Sequence, residues 1–377
     1  MRRAAATLCL AVALAWTAAA RGQDAPRAPA GDSVTCMENG ARKTRTGVVV
    51  ESADYEHVVF VQAAKRATLD GADVVEVRWG DAPREFDAAV AALRRGDAAA
   101  AADGFEAALV RRGTTRAWIL EEANTGLGEA LLALVPRGAA ATERTARVFA
   151  AARDANPKSL LSDRILLGLA RAEILRGRPD AAVDAALALA ASAKTAKRPA
   201  WEADAEVARA EALDEKNDRA GALSALDAFL EWAPARAAST KDADLARRLA
   251  AASVRAAVRK TWLLVAAAEA PGATDAAERA RKFVAETAAR WPADASVAAA
   301  AIDAEGALFL AAGDAKAALR KFIEAEVAHF DVPEEAARAL RYEAIAFERL
   351  GDTARSAESL RLLARTYPAS EAARRTR

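Results

Sequence analysis

Histidine is the commonest general base and metal ligand, and this chain has two, His57 and His329. Neither has a neighbour in sequence that would orient an imidazole, so both read as ordinary surface or satisfied residues. The chain has no His-Glu-x-x-His, no Cys-x-x-Cys, no calcium loop and no Gly-x-x-x-x-Gly-Lys. Gly126-Leu127-Gly128 has the spacing of the start of a dinucleotide fingerprint. No strand pattern precedes it and the third glycine is missing, so close helix packing explains it better. Two carboxylates suffice for glycoside hydrolysis, which brings Glu121-Glu122 and Glu334-Glu335 into view. Both pairs read as solvated helix starts, where negative charge meets the positive end of the dipole. The sequence therefore assigns no catalytic residue, no metal ligand and no cofactor, and the chain is read as a non-enzyme. A hydrolase with an unrecognised carboxylate site is the lesser alternative.

Without chemistry to place, the elements themselves carry the information. Of 377 residues, 53% are hydrophobic but only 5% aromatic, so the apolar content is largely alanine. Alanine favours helix and close helix approach while burying little area. A core built this way needs many helix–helix contacts. The tryptophans Trp118, Trp201, Trp232, Trp262 and Trp291 are suited to fill the remaining gaps, or to anchor a partner. The formal charge is +1; without residues 1–20, which hold Arg2 and Arg3, it would be 52 basic against 53 acidic. That balance gives no electrostatic reason to expect nucleic acid as a partner.

Residues 1–20 have the layout of a signal peptide: Arg2 and Arg3, an uncharged run from Ala4 to Ala20, and the small pair Ala18 and Ala20 before Arg21. Export to the periplasm or another extracytoplasmic space is the expected localisation, with no integral membrane segment after cleavage. Cys36 would then be the lone cysteine of the mature chain, so no internal disulfide is available. Residues 21–32, rich in proline, glycine and alanine, read as a flexible linker. Residues 33–80 change texture. Ser33–Met37, Gly47–Ser52, His57–Gln62 and Val74–Trp79 have strand composition, and Asn39-Gly40 is a hairpin signal. Four or five short strands predict a small barrel of the SH3-like or Sm-like kind.

From residue 84 to 377 the pattern is helical and repetitive. Five turns share one form: Arg95-Gly96-Asp97, Arg176-Gly177-Arg178, Lys216-Asn217-Asp218, Ala312-Gly313-Asp314 and Leu350-Gly351-Asp352. Glycine or asparagine ends one helix in the left-handed conformation, and aspartate caps the next. Seven residues before the turn stand Ala89, Ala170, Ala210, Gly306 and Ala344; nine after it stand Phe105, Ala186, Leu226, Phe322 and Leu360. Pro157, Pro234, Pro292 and Pro368 are each expected to end a helix, and their spacing implies units of about 38 residues with one irregular unit between Pro234 and Pro292.

These columns resemble the tetratricopeptide repeat, most clearly over Ala301–Phe330 and Glu335–Pro368, in a style similar to bacterial cell-envelope proteins. The resemblance implies a mainly α fold, a solenoid of antiparallel helix pairs following the small β domain. It implies a scaffold for protein or peptide partners in the cell envelope; a structural spacer docked through the β module is the alternative. It also implies that partners lie along the first helices of successive units. By the glycine register those positions are Arg164 and Arg171, then Asp204 and Glu211, then Arg338, Arg341, Ile345 and Glu348.

Overall fold

The computed structural model describes residues 31–110, 116–134, 139–270, 272–368 and 370–376. The expected signal peptide and residues 21–30 of the expected linker lie outside the described residues. Asp32, placed by the sequence in the linker, instead opens the first strand.

The strands are β1 (Asp32–Glu38), β2 (Ala41–Ala53), β3 (His57–Gln62), β4 (Lys65–Asp70) and β5 (Val74–Arg78), in the order β4-β3-β2-β1-β5. All neighbouring strands are antiparallel. Gly47 sits at φ +67° within the 13-residue β2. Beyond this point β2 turns from β1 to β3, so one strand serves both halves of the sheet. The sheet thus folds into the expected half-open barrel around Val34, Val48, Val50, Val58, Phe60 and Val77. Asn39 (φ 54°) and Gly40 (φ 76°) make the two-residue hairpin. Strand β4 was not among the expected segments, because Ala63 and Ala64 make the turn before it at φ 48° and 63°. Alanine is a poor marker of that conformation.

Fifteen helices follow among the described residues. They form seven antiparallel pairs and a short end helix: α1/α2 (Arg84–Arg94, Ala98–Val110), α3/α4 (Ala117–Leu134, Ala139–Ala155), α5/α6 (Ser162–Leu175, Pro179–Thr195), α7/α8 (Pro199–Glu215, Arg219–Ser239), α9/α10 (Ala243–Ala268, Thr274–Arg290), α11/α12 (Ala295–Ala311, Ala315–Ala328), α13/α14 (Pro333–Arg349, Thr353–Thr366) and α15 (Glu371–Arg374). Each expected turn has its central residue in the left-handed region: Gly96, Gly177, Asn217, Gly313 and Gly351. The residue after each donates its N–H back across the turn, as Asp314 does to Phe309 O at 2.9 Å. Asp97, Asp218, Asp314 and Asp352 then accept N–H bonds in the first turn of the next helix.

First helices touch the first helices of adjacent pairs; second helices make no comparable contact with each other. The first helices therefore form the inner layer of the array. Where two layers meet, glycine admits a ring. A Cβ on Gly168 would stand 2.2 Å from Phe149 Cζ, and one on Gly126 2.4 Å from Phe105 Cζ. This is the packing reading of Gly126-Leu127-Gly128. At Gly313 an added Cβ meets nothing within 4 Å, so only its φ of +88° opposes a side chain. Gly168→Ala is expected to cost about 1–3 kcal/mol by overpacking, and Gly313→Ala only about 1 kcal/mol of backbone strain. Equal shifts in urea melts would contradict this ordering.

Three expectations need correction. Pro234 does not end a helix: it lies inside α8, because Phe229 and Ala233 are buried against Leu249 of α9 and this packing carries the helix through to Ser239. The irregular interval is due to α9, which runs 26 residues. Leu360 is 38% exposed although Phe105, Ala186, Leu226 and Phe322 in its column are fully buried, since among the described residues no further pair covers α14. The acid pairs fit solvated helix starts only in part: Glu334 is exposed in the first turn of α13, but Glu335 beside it is buried, and Glu121 and Glu122 lie past the first turn of α3, half-buried and hydrogen-bonded.

Candidate functional site

The barrel does not hang free of the helices. Trp79, just after β5, stacks on Trp118 of α3 with ring centroids 5.4 Å apart and planes 13° apart. Its indole N–H donates to Glu122 Oε2 at 2.9 Å. Arg116 lies over the Trp79 ring and forks onto Asp32 at 2.6 and 2.9 Å, with Asp81 as a further partner. Asp32 also accepts the N–H groups of Val50 and Gly80. Burial works to raise the Asp32 pKa, but Arg116 and the two N–H donors outweigh it and hold the carboxyl below its ordinary value.

A second attachment lies at the β2–β3 loop. Tyr55 donates its N–H to Lys158 O at 2.8 Å and its hydroxyl to Asp163 of α5, also at 2.8 Å. Arg198, which precedes α7, donates to Asp163 at 2.8 Å and to Tyr55 O at 2.9 Å, and its guanidinium lies 4.1 Å from the Tyr55 ring centroid. The Arg198 and Asp163 side chains are 8% and 2% exposed. Farther along, Arg42 of the first hairpin pairs with Asp244 of α9 at 3.3 Å on the surface. The barrel thus bridges the leading ends of α3, α5, α7 and α9.

Between barrel and inner layer remains a cleft of about 700 Å³. One wall is the β5 segment Ala72–Val77; the other presents Trp118, Glu122, Arg164, Trp201 and Arg248 from four successive first helices. Arg164 is held by a two-pronged bond to Glu129 of α3 (2.9 and 2.7 Å). Arg248 lies over the Trp201 ring at 4.6 Å and reaches Asp204 at 3.1 Å. Burial pushes the Glu122 carboxyl up, and does the same to Glu121, which accepts hydrogen bonds from Asn156 and Ser159. The wall is amphipathic and balanced in charge, suited to a polypeptide segment and not to a polyanion.

The residues expected to contact a partner fall in different places. Arg164 lines the cleft. Asp204 is bonded between Arg248 and Arg255 of α9. Glu211 is half-buried on α7, in the field of Arg259, and Arg171 is exposed on α5. On α13, Arg338 lies over the Trp262 ring at 4.3 Å and is bonded to Glu335, with 13% of its side chain exposed. Arg341 is half-buried with its guanidinium 5.5 Å from the Tyr342 ring centroid; Ile345 packs against the core, and Glu348 is exposed. The structure therefore brings together Arg164 and the neighbourhood of Asp204 at the cleft, and keeps the α13 residues apart from it. Tyr55, Trp79, Arg116 and Arg198 were not singled out as site residues. Their partners lie far away in sequence, and Trp79 is not among the tryptophans that the sequence set apart.

No protein-family model matches the sequence, and no curated protein matches it. Solved structures do resemble the fold. One is a tetratricopeptide repeat protein from Parabacteroides merdae, with 13% identity and a TM-score of 0.53 over 75% of this chain and 92% of that one. Another is the apo form of RapI, with 14% identity and a TM-score of 0.50 over 78% and 97%. The helical array is a tetratricopeptide-repeat-like solenoid, preceded by a five-stranded β module. Among the described residues no helix is long and apolar enough to cross a membrane.

Proposed function

We propose that this chain is a non-catalytic scaffold that binds a protein segment in the cleft between its β module and its inner helices. One observation carries the reading: side chains from four successive first helices, Trp118, Arg164, Trp201 and Arg248, converge on one cleft that the barrel roofs. Aromatic and arginine side chains are the groups that anchor protein partners. The acids of the cleft serve the structure. Glu121 accepts from Asn156, Glu122 from Trp79, and Asp163 from Arg198 and Tyr55. The signal-like residues 1–20 support export, and the repeat style supports a role in the cell envelope.

A photo-crosslinking residue placed at Trp201, in the full chain expressed with its leader, tests both parts. The same residue at Leu187, exposed on α6 of the outer layer, is the control. A discrete protein adduct in the exported fraction is expected from position 201 only, and adding Arg248→Glu is expected to abolish it. Equal adducts from both positions, or none from position 201, would reject the cleft as the binding site.

A further inference from the structure

The inner face of the later helix pairs differs from the cleft in being covered by the segment that follows α14. The four-residue α15 presents Glu371 to Arg259 of α9 at 2.7 Å and to Arg338 of α13 at 3.6 Å. Four residues on, Arg375 reaches Asp214 of α7 at 2.9 Å, and Asp214 is also bonded to Arg259 at 2.6 Å. Between these polar ends Ala372 and Ala373 are buried against Ala337, Leu340 and Leu363. Burial opposes the Glu371 charge, but Arg259, Arg338 and Arg375 outweigh it and bring its carboxyl down to about 2. An isolated helix of this length is not stable in water. It is ordered by the surface it sits on, much as a bound peptide is.

We infer that the surface formed by Asp214, Arg259, Arg338 and the Ala337–Leu340–Leu363 seat is a receptor for a short helical segment with a carboxylate at one end and a basic residue one turn on, which α15 occupies in cis and a partner's segment takes by displacing it. Charge and shape complementarity define the ligand. It carries a carboxylate for the two guanidinium groups, two small residues for the apolar seat, and a basic residue four positions after the carboxylate for Asp214. The arginines are already ordered for it. Arg338 is stacked on Trp262, whose N–H donates to Glu335 at 3.1 Å, and Trp262 stacks on Tyr342. This surface is separate from the cleft, so its failure would leave the cleft reading intact.

The probe is a fluorescent peptide with the sequence of Tyr367–Arg377. It is titrated against the full chain and against full-length variants that weaken the latch, Glu371→Lys and Ala373→Asp. Circular dichroism verifies that each keeps its helix, and hydrogen exchange follows residues 371–375. Both variants are expected to lose protection there and to bind the peptide about tenfold or more tighter than the native chain does, with a peptide carrying Glu371→Gln losing about tenfold or more. Equal binding to native chain and variants, or equal binding of the two peptides, would overturn the inference. So would an opened variant that binds no peptide, or protection retained in both, since α15 would then not be a removable occupant.

Discussion

Replacing Arg198 by alanine is expected to lower stability by about 3–5 kcal/mol and to loosen the barrel from the repeats. The change removes the cationic partner from a buried ion pair and leaves the Asp163 carboxylate, 2% exposed, charged with the neutral Tyr55 hydroxyl beside it. It also removes the bond to Tyr55 O and the cation over the Tyr55 ring. A surface pair is worth far less, because water screens both partners; Arg42→Ala, which breaks the exposed pair with Asp244, is expected to cost under about 1 kcal/mol. The barrel shares its core with α1, α2 and α3 through Trp79, Phe86 and Phe105. Arg198→Ala should therefore free the β2–β3 loop without unfolding the strands. Hydrogen exchange should show new opening at residues 54–57 and at the start of α7, with β1 and β2 still protected. Cooperative loss of the whole molecule, or a cost no larger than that of Arg42→Ala, would contradict this reading of the attachment at the β2–β3 loop.

The second large effect concerns pH. Asp303 on α11 is fully buried, and neither carboxylate oxygen has a hydrogen-bond partner in the structure. It faces Glu335, Arg338 and Glu343, all on α13; burial and the two acids raise its pKa well above the ordinary value, against the pull of Arg338. Glu343 is also buried, with Glu326 of α12 beside it and a 3.4 Å bond from Ser359 of α14, and burial pushes it up to about 8. An acid whose folded pKa is raised contributes stability that is fully present below its unfolded pKa and is lost as pH rises through the folded one. Between about pH 4.3 and the folded value the unfolded chain has released the proton and the folded chain has not, so each such group removes about 1.4 kcal/mol per pH unit. Glu371 and Asp32 act in the opposite sense, because their lowered pKa values make their contribution fall away in acid. The native protein is thus expected to be most stable near pH 5 and to lose stability steadily towards pH 8. Glu343→Gln should flatten that slope and leave the chain more stable than native at pH 8; Asp303→Asn should act in the same direction. Denaturant melts at half-unit steps check this. An unchanged slope in both variants would show that these carboxyls ionise as freely in the folded chain as in the unfolded one.

The repeat was legible because its signals are local. A residue at positive φ ending one helix and an aspartate capping the next need only neighbours in sequence, and Gly313-Asp314 and Gly351-Asp352 supply them. The Asn39-Gly40 hairpin is of the same kind. Where the local signal was weak the reading failed: Ala63-Ala64 turns the chain without a glycine, and Pro234 is carried inside α8 by packing that no single stretch reveals. The expected partner positions mark the inner layer, yet being on a first helix does not tell a free arginine from an engaged one. Arg338 and Arg164 look alike in sequence; one lies on Trp262 beside Glu335, and the other forks onto Glu129 at the cleft wall.

The sequence by itself determined the class of protein, an alanine-rich solenoid of helix pairs behind a small β module, because backbone conformation at turns and caps depends on adjacent residues. The tertiary structure alone decided where a cleft is left and which side chains line it. Tyr55 meets Asp163 and Arg198, and Trp79 meets Trp118, only after the array curves beneath the barrel. Glu371 reaches Arg259 across 112 positions only after the later pairs bring the chain's end back to α9. Ion pairs, stacked rings and clefts depend on side-chain distances of a few ångströms between residues far apart in the chain, and those distances are set by the accumulated packing of every intervening helix.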